Sequence, residues 1–239
     1  MSLYVISDLH LSLGCCTKKP MNIFSPRWTD HTVKLKSAWN SIVGIGDTVI
    51  VGGDISWAMT LDEAKEDLLF LDSLNGTKIL LEGNHDFWWQ SISKTVGFIK
   101  SLGISSIHLL QNNAYRLDGE KTVICGTRGW YTDKDDAPNG TDYQKMLSRE
   151  AQRLSLSVSS ARDIALDGDE IIAVTHFPLV HDFFIFKDAI GILSENGIRK
   201  CYYGHIHGEY NSPPKRVYNG IEFILTSSDY LNFIPLKIH

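Results

Sequence analysis

Five short apolar runs in this chain stop abruptly at residues that a buried strand cannot carry for free. Leu3–Ser7 (LYVIS) runs into Asp8-Leu9-His10, and Thr48–Val51 (TVIV) into Gly52-Gly53-Asp54. Lys78–Leu81 runs into Gly83-Asn84-His85-Asp86, Glu170–Val174 into Thr175-His176, and Cys201–Tyr203 into Gly204-His205-Ile206-His207-Gly208. A short apolar run that breaks into glycine reads as a buried strand entering a tight turn. Buried without partners, each Asp, Asn or His there would cost about a few kcal/mol. Such groups therefore face solvent or bind something. A lone strand-end Asp is ordinarily a turn or helix cap, but five decorated strand ends in one chain point to binding.

Between these runs the periodicity changes to that of helices. Asp30–Ile45 carries Val33, Leu35, Ala38, Ile42 and Val43 at helical spacing. Thr60-x-x-Glu63 is a capping box, opening a helix with Leu61, Ala64, Leu68 and Leu71 on one side. Ser91–Ser101 reads as a further helix. Alternating strands and helices predict a sheet layered with helices. The middle differs: Ser106–Leu110, Ala114–Leu117 and Thr122–Cys125 read as short strands, the last two joined at the hairpin signal Asp118-Gly119. Thr127–Asn139 is a polar loop. Thr141-x-x-Gln144 is a second capping box, opening a long helix toward Ala165, and Arg216–Tyr218, Asn219-Gly220 and Ile221–Leu225 read as a hairpin. No repeat or linker interrupts the pattern, so residues 1–239 are expected to form a single domain.

In open α/β sheets ligands bind beyond the carboxyl ends of the strands. Five strands of one sheet would bring Asp8, His10, Asp54, Asn84, His85, His176, His205 and His207 to one edge. The i, i+2 spacing in Asp8-x-His10 and His205-x-His207 puts both side chains on one side of an extended chain. Carboxylates, one amide and imidazoles together suit Mn, Fe or Zn.

The motifs DLH, GGD, GNHD, TH and GHIH, in this order and at these separations, resemble the calcineurin-like metallophosphoesterase superfamily, in the form of a bacterial-type predicted phosphohydrolase. The resemblance implies a four-layer α/β/β/α sandwich, with two mixed β-sheets flanked by helices and two metal ions at the strand ends. Carried over by motif, the first metal takes Asp8, His10, Asp54 and His207. The second takes Asp54, Asn84, His176 and His205, so that Asp54 bridges. His85 contacts the phosphate and the leaving group. Asp86 is placed to orient His85, with capping of the turn as the alternative. The implied reaction is hydrolysis of a phosphate ester by a hydroxide shared between the metals. A phosphodiester or nucleotide-type substrate leads, and a UDP-sugar lipid pyrophosphohydrolase or a phosphomonoesterase is the alternative. A metal-binding scaffold without turnover is the non-enzyme alternative. One departure is the sequence GDISWAM after the second strand, where many members have a further Asp or Gly.

Other residues bear on the substrate. Trp57, Trp88 and Trp130 lie close to these motifs and could stack a base or sugar; packing of the loops is the competing reading. Arg128 could hold a second phosphate bidentately. Phe183–Phe186 is read as a lid, a dimer contact or a lipid-facing surface, against burial under the long helix. Lys and Arg number 23 against 28 Asp and Glu, a net charge of −5, so no extended nucleic-acid surface is expected; a small-molecule phosphate ester as partner is what the resemblance implies. Cys15, Cys16, Cys125 and Cys201 show no CxxC spacing, and free thiols fit a reducing cytoplasm. The N-terminus lacks the pattern of a signal peptide, and no apolar run approaches the roughly 20 residues of a membrane span.

Overall fold

Strands of four to six residues with almost every position buried set the architecture. The computed structural model describes residues 1–14 and 20–238. In chain order the elements are β1 (Leu3–Ile6), α1 (His31–Ile42), β2 (Thr48–Val51), α2 (Leu61–Asp72), β3 (Thr77–Leu81), α3 (Ile92–Ser101) and β4 (Ile107–Leu110). They continue with β5 (Tyr115–Leu117), β6 (Thr122–Thr127), α4 (Tyr143–Ile164), β7 (Glu170–Thr175), β8 (Val180–His181), β9 (Phe184–Ile185) and α5 (Lys187–Glu195). The chain closes with β10 (Lys200–Tyr203), β11 (Lys215–Tyr218), β12 (Ile221–Leu225) and β13 (Leu236–Lys237).

The strands form two large mixed sheets. The first has the order β13-β1-β2-β3-β4, with β1 to β4 parallel and β13 antiparallel at the edge. The second has the order β11-β12-β10-β7-β6-β5, with four parallel strands between antiparallel edges. Parallel strands covered on both faces read as continuous apolar runs, which is why their sequences do not alternate. Successive side chains nevertheless point to opposite faces. Leu3, Val5, Ile50, Ile79 and Leu81 of the first sheet pack on Ile124, Ile172, Val174 and Tyr202 of the second. Tyr4, Ile6, Val49, Val51 and Leu80 pack outward on Leu35, Trp39, Ala64, Leu68 and Ile99 of α1 to α3. Val123, Cys125, Ala173 and Cys201 do the same on Leu154, Val158, Ile190 and Leu193 of α4 and α5. Each such apolar side chain contributes roughly 1.5–3 kcal/mol when fully buried. The result is the expected four-layer sandwich of helices, two sheets and helices.

The decorated strand ends do not lie on one sheet, as their sequence spacing suggested. Asp8, Asp54 and Asn84-His85 follow β1, β2 and β3 of the first sheet, whereas His176 and His205 to His207 follow β7 and β10 of the second. The sheets are tied together at these ends. Ser7 pairs in parallel with Ser227, Ser7 N donates to Thr226 O at 2.8 Å, and Ser228 N donates to Ser7 O at 2.9 Å. One rim of the sandwich thus carries both sets.

Three further differences have local causes. The cap of α4 is Asp142, whose carboxylate accepts from Lys145 N at 3.1 Å, one residue past the expected Thr141. A carboxylate is the better acceptor at that position. Thr60 does cap α2, accepting from Glu63 N. The Phe-rich stretch holds the β8–β9 hairpin and leads into α5, neither of which its unbroken apolar run revealed. Lys78, at the head of a buried strand, is itself fully buried. Its ammonium donates to Leu74 O at 2.9 Å and Gly76 O at 2.8 Å, closing the chain just beyond α2. Cys125 and Cys201 are free and buried, while Cys15 and Cys16 lie outside the described residues.

Candidate metal centre

Backbone strain is present at this rim. Asp8, His10, Asp54 and His205 have φ of 60°, 46°, 50° and 68°, in the left-handed region. For residues with a Cβ this costs about 1–2 kcal/mol each, and such strain persists where the surroundings fix the conformation, commonly at functional sites. The glycines of the motifs have a separate cause. A Cβ on Gly83 would collide with the backbone amide and carboxylate of Asp54, and one on Gly204 with the Asp8 carboxylate. Only glycine lets adjacent strand ends bring their polar groups so close. Gly83→Ala is expected to lose roughly 1–3 kcal/mol of stability through overpacking, read as a lower melting temperature of the metal-free protein. An unchanged melting curve would mean that the loop can move aside.

The side chains converge closely. Asp8 Oδ1 lies 3.6 Å from His207 Nε2, and His10 Nε2 lies 3.2 Å from His207 Nε2 and 3.7 Å from Asp54 Oδ2. Asp54 Oδ1 lies 3.4 Å from His176 Nε2, and Asn84 Oδ1 lies 2.7 Å from His176 Nε2 and 3.0 Å from His205 Nδ1. Among the described residues, two groups have ligand atoms within 4.8 Å of one another: Asp8, His10 and His207; and Asp8, Asp54 and His176.

The electrostatics fit cations. Burial raises the carboxyls of both Asp8 and Asp54, and the charge of Asp54 adds to the rise at Asp8. Two buried carboxylates side by side are costly unless opposite charge compensates them. Burial holds His10 well below its ordinary value, His176 down to about 3 and His205 down to about 2. These imidazoles are therefore neutral, the form that ligates. His207 differs: burial pulls it down, but the hydrogen bond to Asp229 and the charge of Asp8 outweigh that and hold it near 9.

His85 sits beside these groups and belongs to neither. Its side chain is 37% exposed, with Nε2 4.0 Å from Asp54 Oδ2. Its backbone N–H donates to Asp54 Oδ1 at 2.8 Å. The Trp57 ring stands 4.4 Å from the His85 ring and stacks on His10 at 4.8 Å and 22°. Trp57 thus braces two site histidines.

Asp86 takes the alternative role. Its carboxylate accepts from Ile55 N, Ser56 N and Trp88 Nε1 through Oδ1 and from Gly83 N through Oδ2, all at 2.8–3.1 Å. These bonds staple the loop after β2 to the loop after β3, in place of the expected bond to His85. Trp88 is fully buried with its indole N–H on Asp86, so it is a core residue and not a wall of the site. Trp130 and Arg128 lie on the side of Asn84 and His85. They line a cavity of about 410 Å3 with Asn84, His85, Phe87, Trp89, Tyr131 and Phe177. Arg128 pairs with Glu82 at 2.9 Å, its guanidinium 5.5 Å from the centre of the Trp130 ring. A larger hollow, about 860 Å3, lies between α4 and the β8–β9 hairpin and includes Phe183–Phe186; none of the clustered ligand residues lines it. Phe183 at the hairpin tip is fully exposed and Phe186 is buried.

Sequence reasoning missed Trp28, whose edge meets the rings of His10 and His207 at 5.7 and 5.6 Å. It also missed Asp229, hydrogen-bonded to His207 at 2.8 Å. The signal for Asp229 was present: β12 ends in Thr226-Ser227-Ser228-Asp229, a further strand end broken by polar residues.

Comparison with known proteins agrees with this geometry. The family model described as calcineurin-like phosphoesterase matches residues 1–209. No curated protein matches the chain. Among solved structures, a phosphopantetheinyl hydrolase from Mycobacterium tuberculosis shares 16% identity with a TM-score of 0.57. A protein of unknown function from Aquifex aeolicus shares 16% with a TM-score of 0.49. Each alignment covers 99% of this chain and 95% of the other. The family match, which takes in every decorated strand end from Asp8 to His207, shows that this chain belongs to the calcineurin-like phosphoesterase family of metal-dependent phosphoric ester hydrolases.

Proposed function

We propose that this protein hydrolyses a phosphodiester or nucleotide-type phosphate ester at a two-metal centre within a single domain, residues 1–239. Asp8, His10, Asp54 and His207 would hold one ion, and Asp54, Asn84, His176 and His205 the other. The donor set suits Mn, Fe or Zn. Bound there, the ions would withdraw charge from a phosphoryl group and lower the pKa of a water toward neutrality. The remaining work belongs to the chain's own groups. His85, fixed through its backbone by Asp54, is exposed on the side of the aromatic cavity. Its Nε2 hands a proton to the leaving oxygen. Arg128 contributes positive charge beside Trp130. No helix among the described residues is long and apolar enough to cross a membrane, and the free thiols of Cys125 and Cys201 favour a cytoplasmic setting.

The cavity carries the substrate reading. At about 410 Å3 it falls within the usual range for small-molecule sites. Phe87, Trp89, Trp130, Tyr131 and Phe177 give it flat apolar walls next to His85. Such walls suit a planar or apolar group carried on the phosphate. The test is a panel of nucleotides, phosphodiesters, phosphomonoesters, a UDP-sugar and a phosphopantetheinyl ester, each with Mn, Fe and Zn. A contact of stacking strength is worth about 1–3 kcal/mol. Trp130→Ala should therefore raise KM for the preferred substrate roughly 5- to 150-fold and leave a small generic ester nearly unchanged. Equal effects on both, or a preference for the smallest monoesters, would count against the reading.

A further inference from the structure

The histidines of the centre are oriented in different ways. His176 is fully buried, and its Nδ1 meets Gly52 O at 3.1 Å. The packing around it leaves one orientation. His207 is different: it sits in the loop beyond β10 with a third of its side chain exposed. The ring contacts with Trp28 and His10 do not by themselves fix which nitrogen faces the centre, since an imidazole without a hydrogen-bond partner can turn its nitrogens through several rotamers.

The fixing group is a carboxylate from a distant part of the chain. Asp229 is buried, and its Oδ1 lies 2.8 Å from His207 Nδ1. Its Oδ2 accepts from Gly208 N at 3.1 Å, so the same carboxylate holds both the ring and the backbone beside it. With Nδ1 engaged, Nε2 is the nitrogen that faces Asp8 and His10. Asp229 belongs to neither ligand group among the described residues. It is itself anchored. The backbone oxygen of Asp229 accepts from Arg27 Nη1 at 3.1 Å, and Ser228 Oγ donates to Asp8 O at 2.9 Å. The bonds between Ser7 and the Thr226–Ser228 segment tie it to the strand that carries Asp8. Residues 226–229 lie beyond the 1–209 span that the family model matches.

We propose that Asp229 is the positioning residue for His207, and that the Thr226–Asp229 segment is a working part of the metal centre. A carboxylate behind a ligand imidazole fixes its tautomer and orientation and raises its basicity, and loss of such a partner typically costs about 10- to 100-fold in metal affinity. The proposal rests on the reading of His207 as a ligand.

The test is calorimetric titration of the metal-free protein with Mn2+ alone. It compares wild type, Asp229→Ala, Asp229→Asn and His207→Ala, with melting curves of each metal-free variant. His207→Ala should lose one of two binding steps. Asp229→Ala should weaken that same step by about 10- to 100-fold and leave the other unchanged. A merely structural role would lower the melting temperature and weaken both steps together. If Asp229→Ala does not fold, Asp229→Asn, which keeps the size and lacks the charge, decides by the same criterion. Wild-type affinity at both steps in the folded Asp229 variant, with His207→Ala losing one, would overturn the positioning role and leave the metal centre intact. Two unaltered steps in His207→Ala would overturn the ligand reading, and this proposal with it.

Discussion

Asp54→Asn is expected to release metal from both sites at once, not from one. Asp54 is almost fully buried, and its two oxygens face different partners. Oδ1 looks toward His176, and Oδ2 toward His10. A charge placed between two cations is felt by both. With an effective dielectric of about 20, unit charges about 4 Å apart interact by roughly 4 kcal/mol, so its loss is large at either site. The amide can keep an oxygen toward the His85 N–H, which leaves an NH2 group toward His10. That group donates and cannot ligate. Bound metal should fall from two equivalents to below one by elemental analysis. Turnover should fall on the order of 10³-fold or more, since about 1.4 kcal/mol is a factor of ten. The metal-free variant should not be less stable. Burial raises the carboxyl of Asp54 in the folded protein. Such an acid destabilises the fold increasingly as pH rises above its unfolded value of about 3.9, and fully above its folded one. At neutral pH the neutral amide removes that cost, so the metal-free variant should melt at or above wild type. Two full equivalents of metal in Asp54→Asn would refute the bridge.

The parts legible in the sequence share one property: their cause is local. A buried strand must be apolar, and a polar residue at its end must find a partner, so Asp8, Asp54, Asn84, His176 and His205 could be read one strand at a time. The fold followed from alternating strand and helix periods together with the resemblance carried by the motifs. What was not legible depends on which loops cross. Asp86 stands next to His85 in the chain, and adjacency suggested that it orients that ring. Its carboxylate is instead consumed by N–H groups of Ile55, Ser56 and Gly83 and by the Trp88 indole. No spacing within GNHD could show that the loop after β2 passes there. Trp88 and Trp89 look equivalent in sequence, yet Trp89 lines the cavity and Trp88 fills the core beside it. Asp229 was hidden for another reason. Its strand β12 reads as half of a hairpin, which masks the polar run Thr226–Asp229 that follows it. The apolar run of β12 breaks into polar residues as abruptly as the other five.

The other large effect is expected at His85, and its size should depend on the substrate. His85 is not among the residues proposed to hold either ion, so His85→Ala should keep two equivalents of metal. Its ring stands over the centre, with Nε2 4.0 Å from Asp54 Oδ2 and the Trp57 ring 4.4 Å away, and 37% of its side chain is exposed. That placement suits a group that meets the substrate. Loss of a general acid typically costs about 10²- to 10⁴-fold. The loss falls on the step in which the leaving oxygen takes a proton. An alkyl ester, whose alkoxide leaves poorly, should show the full decrease in kcat/KM. A nitrophenyl ester, whose leaving oxygen scarcely needs the proton, should show much less. Comparing the two esters separates acid catalysis from phosphate binding, because a group that only holds the phosphate helps both alike. Equal losses on both esters, with the metal content intact, would assign His85 to positioning the phosphate. Loss of metal would instead place it in the ligand set.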